Sequence, residues 1–139
     1  MFKKIISFII LTLLCIGCGD SPTGYSNNTI SLDVYSTAEQ DKNGYYHYEY
    51  LGYYYGSVYF TTEPLTLVNW DSPDEFCVNH NGNEICDPII NYSTYSRDDG
   101  TGQQNFYMND TFIGDTLTII GYINSDSYDI IKLIIIDGR

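Results

Sequence analysis

Four cysteines, two histidines and 18 carboxylates are foremost among the side chains of this 139-residue chain that can grip a metal, move a proton or form a covalent bond. Spacing decides which. Cys77 and Cys86 bracket the stretch VNHNGNEI, in which Asn81-Gly82 is the preferred dipeptide of a two-residue type I′ hairpin, because both central residues need positive φ. Counting outward from that turn sets His80 opposite Asn83, Asn79 opposite Glu84, Val78 opposite Ile85 and Cys77 opposite Cys86. Pairs alternate along the ladder, so the cysteines fall at a non-hydrogen-bonded pair with Cα atoms about 4.5 Å apart, within the reach of a disulfide. The competing chemistry is a metal site built from Cys77, His80, Cys86 and His47, which needs reduced thiols and a distant fourth ligand. The expectation is a disulfide-closed hairpin and no metal.

His47 and Glu49, two residues apart, share one face of any strand that contains them and form a candidate acid/base pair. No nucleophile is identifiable beside them, and no G-x-S-x-G, H-E-x-x-H or phosphate-binding loop occurs. A non-catalytic binding or scaffolding domain without a cofactor is therefore expected, with a hydrolase of unidentified type as an alternative. Asp98 and Asp99, in SRDDGTGQQ, are a weak calcium candidate that lacks the alternating oxygen ligands of a calcium loop.

The tyrosines are the most unusual feature. Eight of the chain's 15 fall in residues 45–59, within YYHYEYLGYYYGSVYF. Tyrosine is large and stiff with a polar tip, which suits a half-buried strand or a contact surface. On an unbroken strand, one face carries Tyr46, Tyr48, Tyr50, Tyr54, Val58 and Phe60 toward the core. The other carries Tyr45, His47, Glu49, Tyr53, Tyr55 and Tyr59 outward. Gly52 or Gly56 can interrupt that register. The outward set is the candidate binding surface, for a protein partner or, through Tyr53, Tyr55 and Tyr59, for sugar rings.

The other two cysteines, Cys15 and Cys18, lie in LLCIGCGD. Upstream are Lys3 and Lys4 and then an apolar run from Ile5 to Ile16 broken by Ser7 and Thr12; downstream the composition turns polar. That is the layout of a secretory signal, and 12 residues fall short of the roughly 20 that span a bilayer as a helix. The Gly17-Cys18 junction resembles the lipobox of bacterial lipoproteins. The resemblance covers only the first 20 or so residues, with Cys15 standing where the pattern prefers leucine. It implies removal of residues 1–17, acylation of Cys18 as the new N-terminus, and a domain held outside the cytoplasm by acyl chains in the cell membrane or outer membrane. Export in turn favours an oxidised Cys77 and Cys86.

A mature chain from Cys18 carries 4 basic against 18 acidic side chains, a formal charge of −14. Such a surface repels nucleic acid and anionic lipid headgroups, so neither is an expected partner. Residues 18–29 read as a flexible tether and residues 30–139 as one domain. The chain holds a single alanine, Ala38, among many Tyr, Ile and Thr, and strand patterns recur throughout. They cover Ile30 to Val34, Tyr45 to Thr62, Leu65 to Trp70, Phe76 to His80, Asn83 to Cys86, Ile89 to Tyr92, Gln103 to Met108, Thr116 to Ile123 and Asp129 to Ile136. The expected fold is an all-β antiparallel sandwich of about 7–9 strands, immunoglobulin-like, with a small barrel as the alternative. In DIIKLIIID, Ile131, Leu133 and Ile135 point to the core, and Ile130, Ile134 and Ile136 accompany Lys132 on a face expected to be covered as well.

Overall fold

The computed structural model describes residues 29–35 and 39–139. Cys15, Cys18, the Gly-Cys junction and nearly all of the tether lie outside the described residues. The expectation of an all-β domain is met. The strands are β1 (Ser31–Asp33), β2 (Tyr46–Tyr50), β3 (Tyr55–Thr61), β4 (Leu67–Asp71), β5 (Glu75–His80), β6 (Asn83–Pro88), β7 (Ser93–Tyr95), β8 (Thr101–Tyr107), β9 (Thr116–Asn124) and β10 (Ser127–Asp137), with one 3-10 turn at Asp110–Phe112. They form a three-stranded sheet in the order β1-β3-β8, a five-stranded sheet in the order β2-β10-β9-β4-β7, and the separate hairpin β5-β6. One sheet curls like half a barrel. Among the described residues every ladder is antiparallel except one, since β2 runs parallel to β10 with Leu133 beside Tyr46.

The core lies between the two larger sheets. Val58, Phe60 and Phe106 from one sheet meet Val68, Trp70, Leu117, Ile119, Leu133 and Ile135 from the other. Across the gap the rings of Phe60 and Trp70 meet edge to face at 5.4 Å, and those of Tyr48 and Phe106 at 5.5 Å. Edge-to-face contact sets the positive ring edge against the negative face, which favours one packing over many. Gly121 makes room for this junction: a Cβ there would sit 3.0 Å from both Leu32 and Trp70.

Sequence patterns located most of the strands, but two elements and one strand face differ from the expectation. The long strand expected over 45–62 is broken at Leu51–Tyr54, where Gly52 adopts φ +89°, and its halves enter different sheets. Tyr54, assigned to the core by unbroken alternation, is consequently 66% exposed. Residues 89–92 form no strand. Ile89 and Ile90 instead plug the core from a connecting segment. In β10 the inward set is as expected, but Ile130 on the outward face is 46% exposed, and Ile134 and Ile136 are only half-buried.

Candidate functional site

The hairpin forms as its turn chemistry requires. Asn81 and Gly82 both have positive φ, 53° and 83°, and the Gly82 N–H donates to Asn79 Oδ1. The register pairs Cys77 with Cys86, their Cα atoms are 4.0 Å apart, and the sulfurs are bonded. The ladder puts Phe76, Val78, Ile85 and Asp87 on one face and Glu75 with the disulfide on the other. With both sulfurs in the disulfide the metal reading loses its thiols. Among the described residues, Glu75, Cys77 and Cys86 are the only trio of possible ligands within 4.8 Å of one another, so two of the three are already committed.

The hairpin is tied to the body at its foot. Ser72 Oγ donates to the Thr118 carbonyl (2.6 Å), the Thr118 N–H donates to Asp74 Oδ2 (2.6 Å), and the Ile89 N–H donates to the Asp74 carbonyl (3.0 Å). The Tyr107 N–H donates to the Ile89 carbonyl, which joins the chain after β6 to the end of β8. Phe76 then stacks on Tyr107, with centroids 5.5 Å and planes 20° apart. Tyr107 also faces Tyr55, its register partner on β3, at 4.9 Å, and the two hydroxyls share a 3.4 Å hydrogen bond that raises the Tyr107 pKa.

This aromatic row opens onto a concave groove of about 320 Å³ lined by Phe76, Val78, Asp87, Pro88, Asn91, Tyr92 and Tyr107. Tyr92 is 63% exposed, and Val78 and Ile85 are each nearly half exposed. Aromatic side chains beside exposed polar groups in a concave surface are the ingredients of a binding site. None of Phe76, Asp87, Asn91, Tyr92 and Tyr107 stands out in the sequence. The turn chemistry locates the hairpin, but only the three-dimensional register brings its foot against β8.

The tyrosine face expected from the sequence is divided. Tyr55 and Tyr59 share the outer face of β3 with Ser57 between them, and Ser57 Oγ bonds Asn105 and Gln103 at 2.9 Å. Tyr59 is half-buried against Tyr35, rings edge to face at 5.3 Å, and the hydrogen bond with Tyr35 pushes its pKa up to about 12. Tyr53 lies in the loop after Gly52. His47 and Glu49 belong to the other sheet, while Tyr45 lies just before β2 and its ring is covered by Lys132 Nζ at 5.7 Å.

His47 pairs with Asp41, not Glu49: its Nε2 lies 3.5 Å from Asp41 Oδ2. Asp41 Oδ1 accepts the Tyr45 and Asn43 N–H groups, and the Tyr45 bond above all holds its carboxyl below the usual range. Asp41 and His47 line an open hollow of about 380 Å³ with Glu39, Gln40, Glu49 and Ile136, and among these described residues there is no Ser, Thr, Cys or Lys nucleophile. At the calcium candidate, Asp99 Oδ1 turns back to accept both the backbone N–H and the hydroxyl of Thr101, and the hydroxyl bond is the main cause of its lowered pKa. Asp99 thus closes its own turn.

Comparison with protein-family models, with curated proteins and with solved structures finds no match to this chain. Among the described residues no helix is long and apolar enough to cross a membrane.

Proposed function

We propose that this protein is a lipid-anchored lipoprotein of the bacterial cell envelope whose β-domain binds or scaffolds and does not catalyse. The observation that carries the binding role is the aromatic groove at the foot of the hairpin, where Val78 on β5 and Tyr92 in the segment after β6 stay exposed beside the half-buried rings of Phe76 and Tyr107. Isolated exposed apolar residues are ordinary, but Val78, Ile85 and Tyr92 continue the stacked pair of Phe76 and Tyr107. The anchor rests on the signal layout and the Gly17-Cys18 junction. The disulfide supports the same compartment, because cytoplasmic thiols are kept reduced.

A hydrolase reading has one observation in its favour, the His47–Asp41 pair in a hollow. Among the described residues lining that hollow none is a nucleophile, so there the pair would have to activate water. Photo-crosslinking in intact cells tests the binding role: a crosslinker replacing Tyr92 captures an envelope component, while one replacing Tyr128, exposed at the start of β10, does not. Equal capture at both positions, or at neither, rejects the groove as the contact surface.

A further inference from the structure

We propose that the groove between the hairpin and the end of β8 receives an uncharged sugar unit, laid against its aromatic rings and hydrogen-bonded by Asp87 and Asn91. The inference rests on reading this surface as a binding site, and it names the ligand class.

Volume and lining narrow the choice. At about 320 Å³ the groove lies at the small end of ligand pockets, about 300–1,000 Å³, which suits a sugar ring or two better than the convex side of a folded partner. Its apolar part is mainly aromatic, and the electron-rich face of a ring attracts the weakly positive C–H groups on the flat side of a pyranose. Its polar part suits hydroxyls. A carboxylate accepts from two neighbouring hydroxyls, and an amide both donates and accepts, as a hydroxyl does. Asp87 and Asn91 both line the groove and both are exposed, so their polar atoms can reach a ligand there.

The same observations disfavour other occupants. An extended peptide binds a sheet edge through free backbone groups, but here the Tyr107 N–H is bonded to Ile89 and the Ile89 N–H to Asp74. An anionic polymer would meet Asp87, no lining Lys or Arg, and a chain of net charge −12. A purely apolar ligand would strip water from Asp87 and Asn91 without replacing their hydrogen bonds.

The test is calorimetric titration of the full mature protein in detergent with uncharged oligosaccharides of glucose, xylose, mannose and N-acetylglucosamine. The expected result is saturable binding of at least one series. Tyr92→Ala and Asp87→Asn should each weaken it about tenfold or more, and Tyr128→Ala should leave it unchanged. Tyr92 and Asp87 are exposed, and retention of the wild-type melting temperature shows that the variants fold. No binding by any series, or binding indifferent to Tyr92 and Asp87, overturns the proposal. If no sugar binds but the Tyr92 crosslinker captures a protein in cells, the sugar assignment falls and the binding surface stands. If neither is seen, both fall.

Discussion

The ring of Phe76 on the disulfide hairpin lies nearly parallel to that of Tyr107 on the body of the sandwich, 5.5 Å away. The hairpin would otherwise be a separate two-stranded sheet, marginal by itself, and this stack seats it with the Ser72 and Asp74 hydrogen bonds. A double-mutant cycle of Phe76→Ala and Tyr107→Ala should give a coupling energy of about 0.5–1.5 kcal/mol in denaturant unfolding. Additive effects would mean that the rings are neighbours without being partners.

The disulfide should act on the unfolded chain more than on the folded one. It closes a short loop, Cys77 and Cys86 being 9 residues apart, so the chain-entropy argument gives about 2.5 kcal/mol. Replacing both cysteines by serine should lower unfolding stability by about that amount and leave the sandwich folded. An unchanged midpoint would show that the hairpin lies outside the cooperative unit.

Two glycines in left-handed conformations should respond differently to alanine. Gly82 has φ +83° with nothing within 4 Å of a new Cβ, so Gly82→Ala incurs backbone strain alone, about 1 kcal/mol. Gly100 has φ +80°, and a Cβ would fall 2.2 Å from the Thr62 carbonyl oxygen, the residue whose N–H bonds Gly100. Gly100→Ala should therefore lower the melting temperature clearly more than Gly82→Ala. Equal shifts would contradict the close approach of these two segments.

Tyr59 makes alkaline stability a readout of the outer tyrosine network. Its pKa rises from 10.0 to about 12 in the fold, chiefly through the hydrogen bond with Tyr35, so the folded state holds a proton that the unfolded state has released. Stability should accordingly be intact below pH 10 and fall as pH rises from about 10 to 12. Tyr59→Phe should flatten that part of the pH profile of the melting temperature. A profile identical to wild type would show that the Tyr59 phenol does not contribute.

Local chemistry made some parts of this fold legible and hid others. Asn81-Gly82 and the symmetric cysteines specify the hairpin completely, because a two-residue turn fixes its register. The alternation of Ile131, Leu133 and Ile135 likewise read correctly as a core face. The tyrosine stretch misled, since alternation holds only while a strand continues, and Gly52 sends its halves into different sheets. The groove was invisible for another reason. Phe76, Asn91 and Tyr107 are brought together by pairing between distant segments, and no local pattern records that pairing. The parallel pairing of β2 with β10 escaped in the same way.

The central claim is that the domain works outside the cytoplasm on a lipid anchor, and the intact mass of the mature protein from its native host, taken without reduction, tests it most directly. The account predicts a chain beginning at Cys18, carrying acyl groups, and lighter by two hydrogens for the bond between Cys77 and Cys86. A chain that retains the residues before Cys18, or that carries no lipid and two free thiols, would contradict it.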